Sequence, residues 1–178
     1  MRWDCPLNIA LIGMPGAGKS SVGVLLAKRL GYHFVDTDLL IQTETRRRLQ
    51  EIIAGQGLAA FKALEEQVVC GLAPQRTVVA TGGSVVYSEA AMNHLQRLGR
   101  LVFLDLPLDE LQRRVRDMDS RGLVIGPGET FADLYARRTP LYRRCAGLTI
   151  SGGGLTQEQI AALIEEHLCG IGQDESEA

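Results

Sequence analysis

The sequence predicts an α/β fold in which helices cover both faces of a five-stranded parallel sheet. Three observations support this prediction. Five short aliphatic runs are separated by segments in which apolar residues recur with helical spacing. Most of these runs are almost continuously apolar rather than alternating, which is typical of parallel strands that are buried on both faces. The chain has 178 residues, of which 46% are hydrophobic, so it is long enough to bury one core.

The strands and helices are predicted to alternate along the whole chain. The predicted strands are the aliphatic runs at 8–13, 32–36, 77–81, 100–106 and 148–151. The first helix has its apolar face at Val22, Leu25, Leu26 and Leu30 and is predicted to end at Gly31. The other predicted helices are 38–52, 59–72, 88–98, 108–118, 130–144 and 156–168. Because we find no repeat and no linker, we expect one domain over 1–170, followed by a disordered tail over 171–178.

Composition and charge exclude several classes of protein. A net charge of −2 favours neither DNA nor RNA as a partner, and the basic run 46–48 is expected to be a solvated helix face. No segment resembles a signal peptide or a membrane span, so we expect a cytoplasmic protein without a membrane partner. The four cysteines lie far apart and are predicted to be free thiols in a reducing compartment: Cys5, Cys70, Cys145 and Cys169.

The loop after the first predicted strand carries the strongest motif. The segment "GMPGAGKSS" fits G-x-x-x-x-G-K-[ST] between a buried strand and an amphipathic helix, as expected for a P-loop. Its backbone N–H groups and the start of the helix would bind phosphate oxygens, Lys19 would neutralise the β- and γ-phosphates, and Ser20 would ligate Mg²⁺. The predicted ATP-binding residues of the loop are Gly13, Gly16, Ala17, Gly18, Lys19, Ser20 and Ser21.

Two carboxylates follow the second predicted strand. Asp36 and Asp38 lie at its carboxyl end, where an open α/β sheet binds ligands beside the first βα loop. They could hold Mg²⁺ and contact a hydroxyl of the acceptor. Alternatively they are an ordinary pair at the start of a helix, where aspartate is favoured.

With these motifs, the sequence resembles the shikimate kinase family over residues 8–168. The P-loop, the Asp-Thr-Asp segment, "FKALEE", "ATGGS" and "RRTPLYRR" occur in the order that is typical of the family. The resemblance implies a three-layer α/β/α P-loop kinase fold with a mobile lid. It implies transfer of the ATP γ-phosphoryl group to shikimate, giving shikimate 3-phosphate in aromatic amino-acid biosynthesis.

The resemblance also implies roles for individual residues. It implies that Asp36 helps to hold Mg²⁺, and that Asp38 binds the acceptor hydroxyls and acts as the base. Arg138 would bind the acceptor carboxylate, with Gly82 and Gly83 allowing close approach of the backbone to the acceptor.

Two arginines are assigned to the nucleotide side. Arg114 matches an arginine that lies against adenine in the family; alternatively it is a solvated arginine on a charged helix. The lid is expected at about 113–130, and on it Arg121 would meet the charge that develops on the γ-phosphate when the lid closes. Alternatively this segment is a surface loop with an incidental arginine.

The sequence departs from the family pattern at three places. Lys62 stands where the family has an arginine, so a bidentate fork is replaced by a point charge in the predicted acceptor site. Ser84 replaces a third glycine, and the lid segment "RGLVIGPG" lacks a proline next to Arg121. We favour shikimate as the acceptor. The alternatives are a related hydroxy acid such as homoserine, a non-catalytic nucleotide-binding regulatory protein, and, for Lys62, an ordinary exposed helix lysine; we expect a monomer.

Overall fold

The computed structural model describes residues 7–117 and 128–169. Within these residues the chain forms five strands, seven α-helices and one short 3₁₀ helix. The strands are β1 (Asn8–Ile12), β2 (His33–Asp36), β3 (Thr77–Ala80), β4 (Arg100–Asp105) and β5 (Leu148–Ser151). The helices are α1 (Lys19–Leu30), α2 (Thr37–Thr45), α3 (Leu49–Cys70), α4 (Glu89–Leu98), α5 (Leu108–Asp117), α6 (Phe131–Cys145) and α7 (Gln157–Cys169), and the 3₁₀ helix is Val85–Tyr87.

All five strands are parallel and follow the order β2-β3-β1-β4-β5, which confirms the predicted sheet. β1 lies at its centre and is buried along its whole length. The carboxyl ends of β2, β3 and β1 are neighbours, because Asp36 and Leu11 both pair with Ala80 in the register of the sheet. The three loops that carry the main motifs therefore leave the sheet at one edge.

A break inside the predicted helix 38–52 was not foreseen from the sequence. α2 ends at Thr45, because Arg46 adopts a left-handed φ of 55°, and α3 then begins at Leu49. The carboxylate of Glu51 accepts a hydrogen bond from the Arg48 N–H at 3.0 Å and stabilises this start. The basic run 46–48 is exposed, as predicted, but it forms the turn rather than a helix face. α3 continues to Cys70 but is kinked at Gly57, whose φ of 82° is not helical, and this kink lies within the break predicted between 52 and 59.

The described residues contain two groups of buried apolar side chains. The main core lies on both faces of the sheet and is formed from all five strands and from helices on each side. A smaller cluster joins α2 to α3 and contains Ile41, Ile52, Phe61 and Val68. We call it the α2–α3 cluster.

The cysteines follow the prediction in part. Cys70 and Cys145 are free thiols, whereas Cys169 is disulfide-bonded, which corrects the prediction for that residue. The error arises because a large separation along the chain does not prevent two thiols from meeting in the folded protein. No helix among the described residues combines the length and the apolar character that a membrane crossing requires.

Candidate active site

The P-loop is built on backbone conformations that favour glycine. Gly13, Gly16 and Gly18 have φ values of 147°, 81° and 87°. Gly18 is the residue before α1, and no side chain of the described residues caps that helix at its amino end. The N–H groups of the first turn are therefore available to an anion, to which the helix dipole adds a favourable field.

Lys19 lies beneath this loop. Its Nζ donates hydrogen bonds of 2.9 Å to the carbonyl oxygens of Gly13 and Met14. Burial lowers the pKa of the lysine to about 8, while the carboxylates of Asp38 and Asp36 oppose that shift. The ammonium group remains mostly protonated at neutral pH, and it is held close to the place where phosphates would bind.

Ser20 and Asp36 bring two oxygen donors together at the exposed side of the loop. The Ser20 hydroxyl donates a hydrogen bond of 2.6 Å to Asp36 Oδ2. Asp36 Oδ1 accepts the backbone N–H groups of Asp38 and Leu39, so this residue also caps α2. Asp36 can therefore cap the helix and serve as a metal ligand at the same time, since one oxygen caps α2 and the other faces the P-loop. A hydroxyl and a carboxylate fit Mg²⁺, which prefers oxygen ligands and keeps several waters or phosphates in its coordination shell.

Asp38 lies in the first turn of α2 and points a carboxylate oxygen into the interior. The residue as a whole is half-buried, but its Oδ1 is fully enclosed and has no hydrogen-bond partner among the described residues. Burial raises the pKa of this carboxyl to about 6; the Asp36 carboxylate raises it further and Lys19 lowers it. A carboxylate whose pKa lies close to neutral is suited to accept a proton from a hydroxyl group.

Gly82 and Gly83 follow β3 and pass directly beside Asp38. A Cβ atom at Gly82 would lie 2.8 Å from Asp38 Oδ1 and 2.1 Å from Glu65 Oε1, so a side chain there has no room. A Cβ atom at Gly83 would lie 3.0 Å from Arg138 Nη1. A side chain at Gly82 would require Glu65 and Asp38 to shift, and one at Gly83 would require a smaller shift of Arg138, so space rather than backbone angle favours glycine at both positions.

Glu65 is a second enclosed carboxylate, which the sequence analysis did not single out. Its residue is 2% exposed, and its Oε2 accepts a 2.5 Å hydrogen bond from Ser84 Oγ. Burial raises the pKa of Glu65 to about 7, and the Ser84 hydrogen bond opposes that rise. Ser84 stands where the family pattern has a third glycine, and its hydroxyl is thus hydrogen-bonded to Glu65. Helical spacing offered a signal for Glu65, because it lies four residues after the buried Phe61.

The predicted carboxylate-binding side chains meet at a tyrosine. The Lys62 ammonium lies 4.5 Å from the ring centroid of Tyr87, and the Arg138 guanidinium carbon lies 5.1 Å from it. Arg138 is 1% exposed, whereas Lys62 is half-buried. The alternative of an ordinary exposed lysine does not describe Lys62, because its charge lies against an aromatic face next to Arg138.

The nucleotide side of the site is a cleft of about 780 Å³. The P-loop, Asp38, Gly83 and Arg114 line it, together with residues 155–158. Arg114 pairs with Glu110 at 2.6 Å, and its Nη1 lies 3.5 Å from the Gly16 carbonyl oxygen, so it is held against the P-loop. The predicted lid residue Arg121 lies outside the described residues, as does most of the segment 113–130.

The sequence analysis missed residues 155–158. Leu155 and Thr156 end the loop after β5, and Gln157 and Glu158 begin α7, at the same edge of the sheet as the other site loops. Their position could have been inferred from the rule that ligands bind at the carboxyl ends of parallel strands. Lys62 and Arg138 are not among the residues that line the cleft; Arg138 lies next to Gly83, and Lys62 lies against Tyr87.

A phosphate cradle beside an enclosed carboxylate and a group of cations defines a P-loop kinase for a small acceptor. The family model for shikimate kinase matches residues 15–169. Shikimate kinase of Thermodesulfovibrio yellowstonii is 38% identical over 160 residues, covering 88% of this chain and 92% of that protein. Shikimate kinase of Synechococcus elongatus is 40% identical over 139 residues, covering 76% and 73%. The chain belongs to the shikimate kinase family, whose members are ATP-dependent kinases that act on a hydroxyl of shikimate.

Solved structures agree with this assignment. Shikimate kinase from Acinetobacter baumannii in complex with shikimate matches with a TM-score of 0.85 and 28% identity, covering 94% of this chain and 95% of that chain. Shikimate kinase from Aquifex aeolicus matches with a TM-score of 0.79 and 29% identity over 94% and 99%. Deoxyadenosine kinase from M. mycoides, at 13% identity and a TM-score of 0.62, shares the fold. The predicted P-loop kinase fold and the predicted enzyme class are confirmed.

Proposed function

We propose that this protein transfers the γ-phosphoryl group of ATP to a hydroxyl group of shikimate and uses Asp38 as the base. The observation that carries the proposal is the position of Asp38. It lies in the same cleft as the P-loop, and its enclosed Oδ1 has no partner among the described residues. A hydroxyl placed beside Gly82 and Gly83 would face this oxygen on one side and the phosphate cradle on the other.

The proposed mechanism assigns each charge of the site to one part of the reaction. The first turn of α1 and Lys19 bind the β- and γ-phosphates and balance the charge that develops during transfer. Asp38 accepts the proton of the acceptor hydroxyl as that oxygen attacks phosphorus. Arg138 and Lys62 bind the carboxylate of the acceptor and fix which hydroxyl meets the phosphate.

We propose Mg²⁺ as the metal that accompanies ATP. Ser20 and Asp36 would hold it, because their oxygens lie 2.6 Å apart next to the P-loop. When bound, the ion would neutralise charge on the phosphate oxygens. Arg114 would contact the nucleotide, since its position against Gly16 lies in the same cleft.

The direct test is release of ADP in the presence of candidate acceptors. We expect the wild-type protein to release ADP when shikimate and Mg²⁺ are present. Lys19→Ala should abolish the reaction while far-UV circular dichroism stays unchanged. Lys28→Ala, an exposed lysine on the same helix, should behave like wild type and serves as the matched control.

The same assay decides between the alternatives that the sequence left open. ADP release with homoserine but not with shikimate would replace the proposed acceptor. Nucleotide binding without release in the presence of any acceptor would indicate a regulatory protein. The monomeric state, the cytoplasmic location and the absence of a nucleic-acid partner stay predictions from the sequence.

A further inference from the structure

Tyr87 lies at the centre of the cationic side of the acceptor site. It ends the 3₁₀ helix that follows the glycines after β3, and its ring is half-buried. Lys62 approaches the ring from α3, with its ammonium 4.5 Å from the centroid. Arg138 and Arg137 approach from α6, with guanidinium carbons at 5.1 and 5.6 Å. One aromatic ring is therefore in contact with cations from two different helices.

The hydroxyl group of Tyr87 has a defined hydrogen-bonding pattern. Its oxygen accepts hydrogen bonds from Arg137 Nε at 2.9 Å and from Arg138 Nε at 3.2 Å. A phenol oxygen that accepts two hydrogen bonds still has one proton to donate. No acceptor for that proton is found among residues 7–117 and 128–169. The proton is therefore free to be donated to a ligand.

The charges around Tyr87 favour an anion. Arg137 is paired with Glu129 at 2.7 Å, which accounts for one of the three cations. In the part of the chain that the structure describes, neither Lys62 nor Arg138 forms an ion pair with a carboxylate. Glu65 is near enough to Arg138 for an electrostatic interaction, but its Oε2 is bonded to Ser84. Two cations without an ion pair among the described residues thus lie against one ring, and that ring carries an O–H donor.

We propose that Tyr87 donates its hydroxyl proton to the carboxylate of the acceptor and, through its ring, holds Lys62 and Arg138 in place for the same carboxylate. This inference rests on the proposed function. It also explains how a lysine can stand at position 62. A lysine offers one ammonium group where arginine would offer a planar pair of donors, and the Tyr87 hydroxyl supplies a further directed hydrogen bond.

The test separates the hydroxyl group of Tyr87 from its ring. Tyr87→Phe keeps the aromatic face and removes only the donor. We expect KM for shikimate to rise about tenfold or more, the scale of losing a hydrogen bond to a charged group. kcat and KM for ATP should stay within about twofold of wild type, because the carboxylate is remote from the transferred phosphoryl group. Tyr32→Phe removes the hydroxyl of another tyrosine that lies under an arginine, at the amino end of β2, and should leave all three constants unchanged.

A second acceptor shows whether the lost contact is with the carboxylate. With the carboxamide of shikimate, Tyr87→Phe should raise KM less than it does with shikimate, because a neutral amide oxygen accepts a weaker hydrogen bond than a carboxylate does. Combining Tyr87→Phe with Lys62→Arg should lower KM for shikimate again, since arginine restores a second donor.

Three results would overturn the inference: an unchanged KM of Tyr87→Phe for shikimate, an equal rise in KM for the carboxamide, or a fall in kcat as large as the rise in KM. The last two would indicate a structural role for the hydroxyl. Failure of the wild-type protein to use shikimate at all would instead refute the proposed function, so the two failures are distinguishable.

Discussion

Asp38→Asn should make the protein more stable and nearly inactive at the same time. In the folded protein, burial holds the pKa of Asp38 at about 6 instead of 3.8. At about 1.4 kcal/mol for each pKa unit, keeping this carboxyl ionised costs the folded state about 3 kcal/mol. The Asp38 carboxylate also stabilises the charged form of Lys19. Removing this carboxylate loses that stabilisation, which cancels part of the gain. We therefore expect Asp38→Asn to raise the free energy of unfolding by about 1–3 kcal/mol at pH 8.

The increase in the free energy of unfolding of Asp38→Asn should depend on pH in a defined direction. Because the pKa of Asp38 is raised in the folded state, its contribution to stability is greatest below about pH 4. That contribution is lost as the pH rises through about 6. Asparagine does not titrate, so the difference between variant and wild type should be close to zero at pH 4 and reach its full size above pH 7.

Activity should change in the opposite sense. Asparagine keeps the shape of the side chain but cannot accept the proton of the acceptor hydroxyl, so kcat should fall by roughly 10²-fold or more. KM for ATP should change little, because the phosphates are bound by the P-loop.

Urea unfolding at pH 4 and pH 8, together with steady-state kinetics, measures both effects. Asp109→Asn changes an exposed aspartate of α5 and should alter neither quantity. The reasoning is refuted if Asp38→Asn is less stable than wild type at pH 8, or if its kcat stays within tenfold of wild type.

Substitutions at three further positions test other parts of the site by steady-state kinetics. Lys62→Ala should lower kcat/KM for the acceptor by roughly 10- to 100-fold, whereas Lys62→Arg should be tolerated or lower KM. If Lys62→Ala has no effect, Lys62 does not belong to the acceptor site. Gly82→Ala should reduce activity strongly, because its Cβ would lie 2.1 Å from Glu65 Oε1, and wild-type activity would show that the loop moves freely. Arg121→Ala, outside the described residues, is predicted to lower kcat far more than it weakens ADP binding; equal losses would indicate a static nucleotide contact.

The sequence predicted those features that depend on neighbours along the chain. Parallel strands are identified by continuous apolar runs, and the P-loop by a motif whose residues act within one turn. The break between α2 and α3 was not predicted, because the left-handed Arg46 and the packing of Ile52 and Phe61 against Ile41 depend on tertiary contacts. A helical pattern in the sequence does not show where such contacts end a helix.

The site was predicted only in part for the same reason. Lys19 was identified from the P-loop motif, and Asp38 from its place after the second strand and from the resemblance to the family. Helical spacing marked Glu65 only as a buried position, and Tyr87 had no signal at all; both were recognised as parts of the site once α3, α6 and the loop after β3 were placed side by side. No spacing along the chain brings Glu65 next to Ser84, or Tyr87 between Lys62 and the arginines of α6.

The division of the apolar interior into two groups has a consequence for how such kinases diversify. The main core supports the strands and the P-loop, whereas the α2–α3 cluster fixes the helices that carry Asp38 and Lys62. Substitutions in the smaller cluster can therefore reshape the acceptor side while the packing beneath the nucleotide is left unchanged. A lineage with this architecture can inherit its phosphoryl-transfer chemistry intact and still acquire a new acceptor through changes confined to one pair of helices.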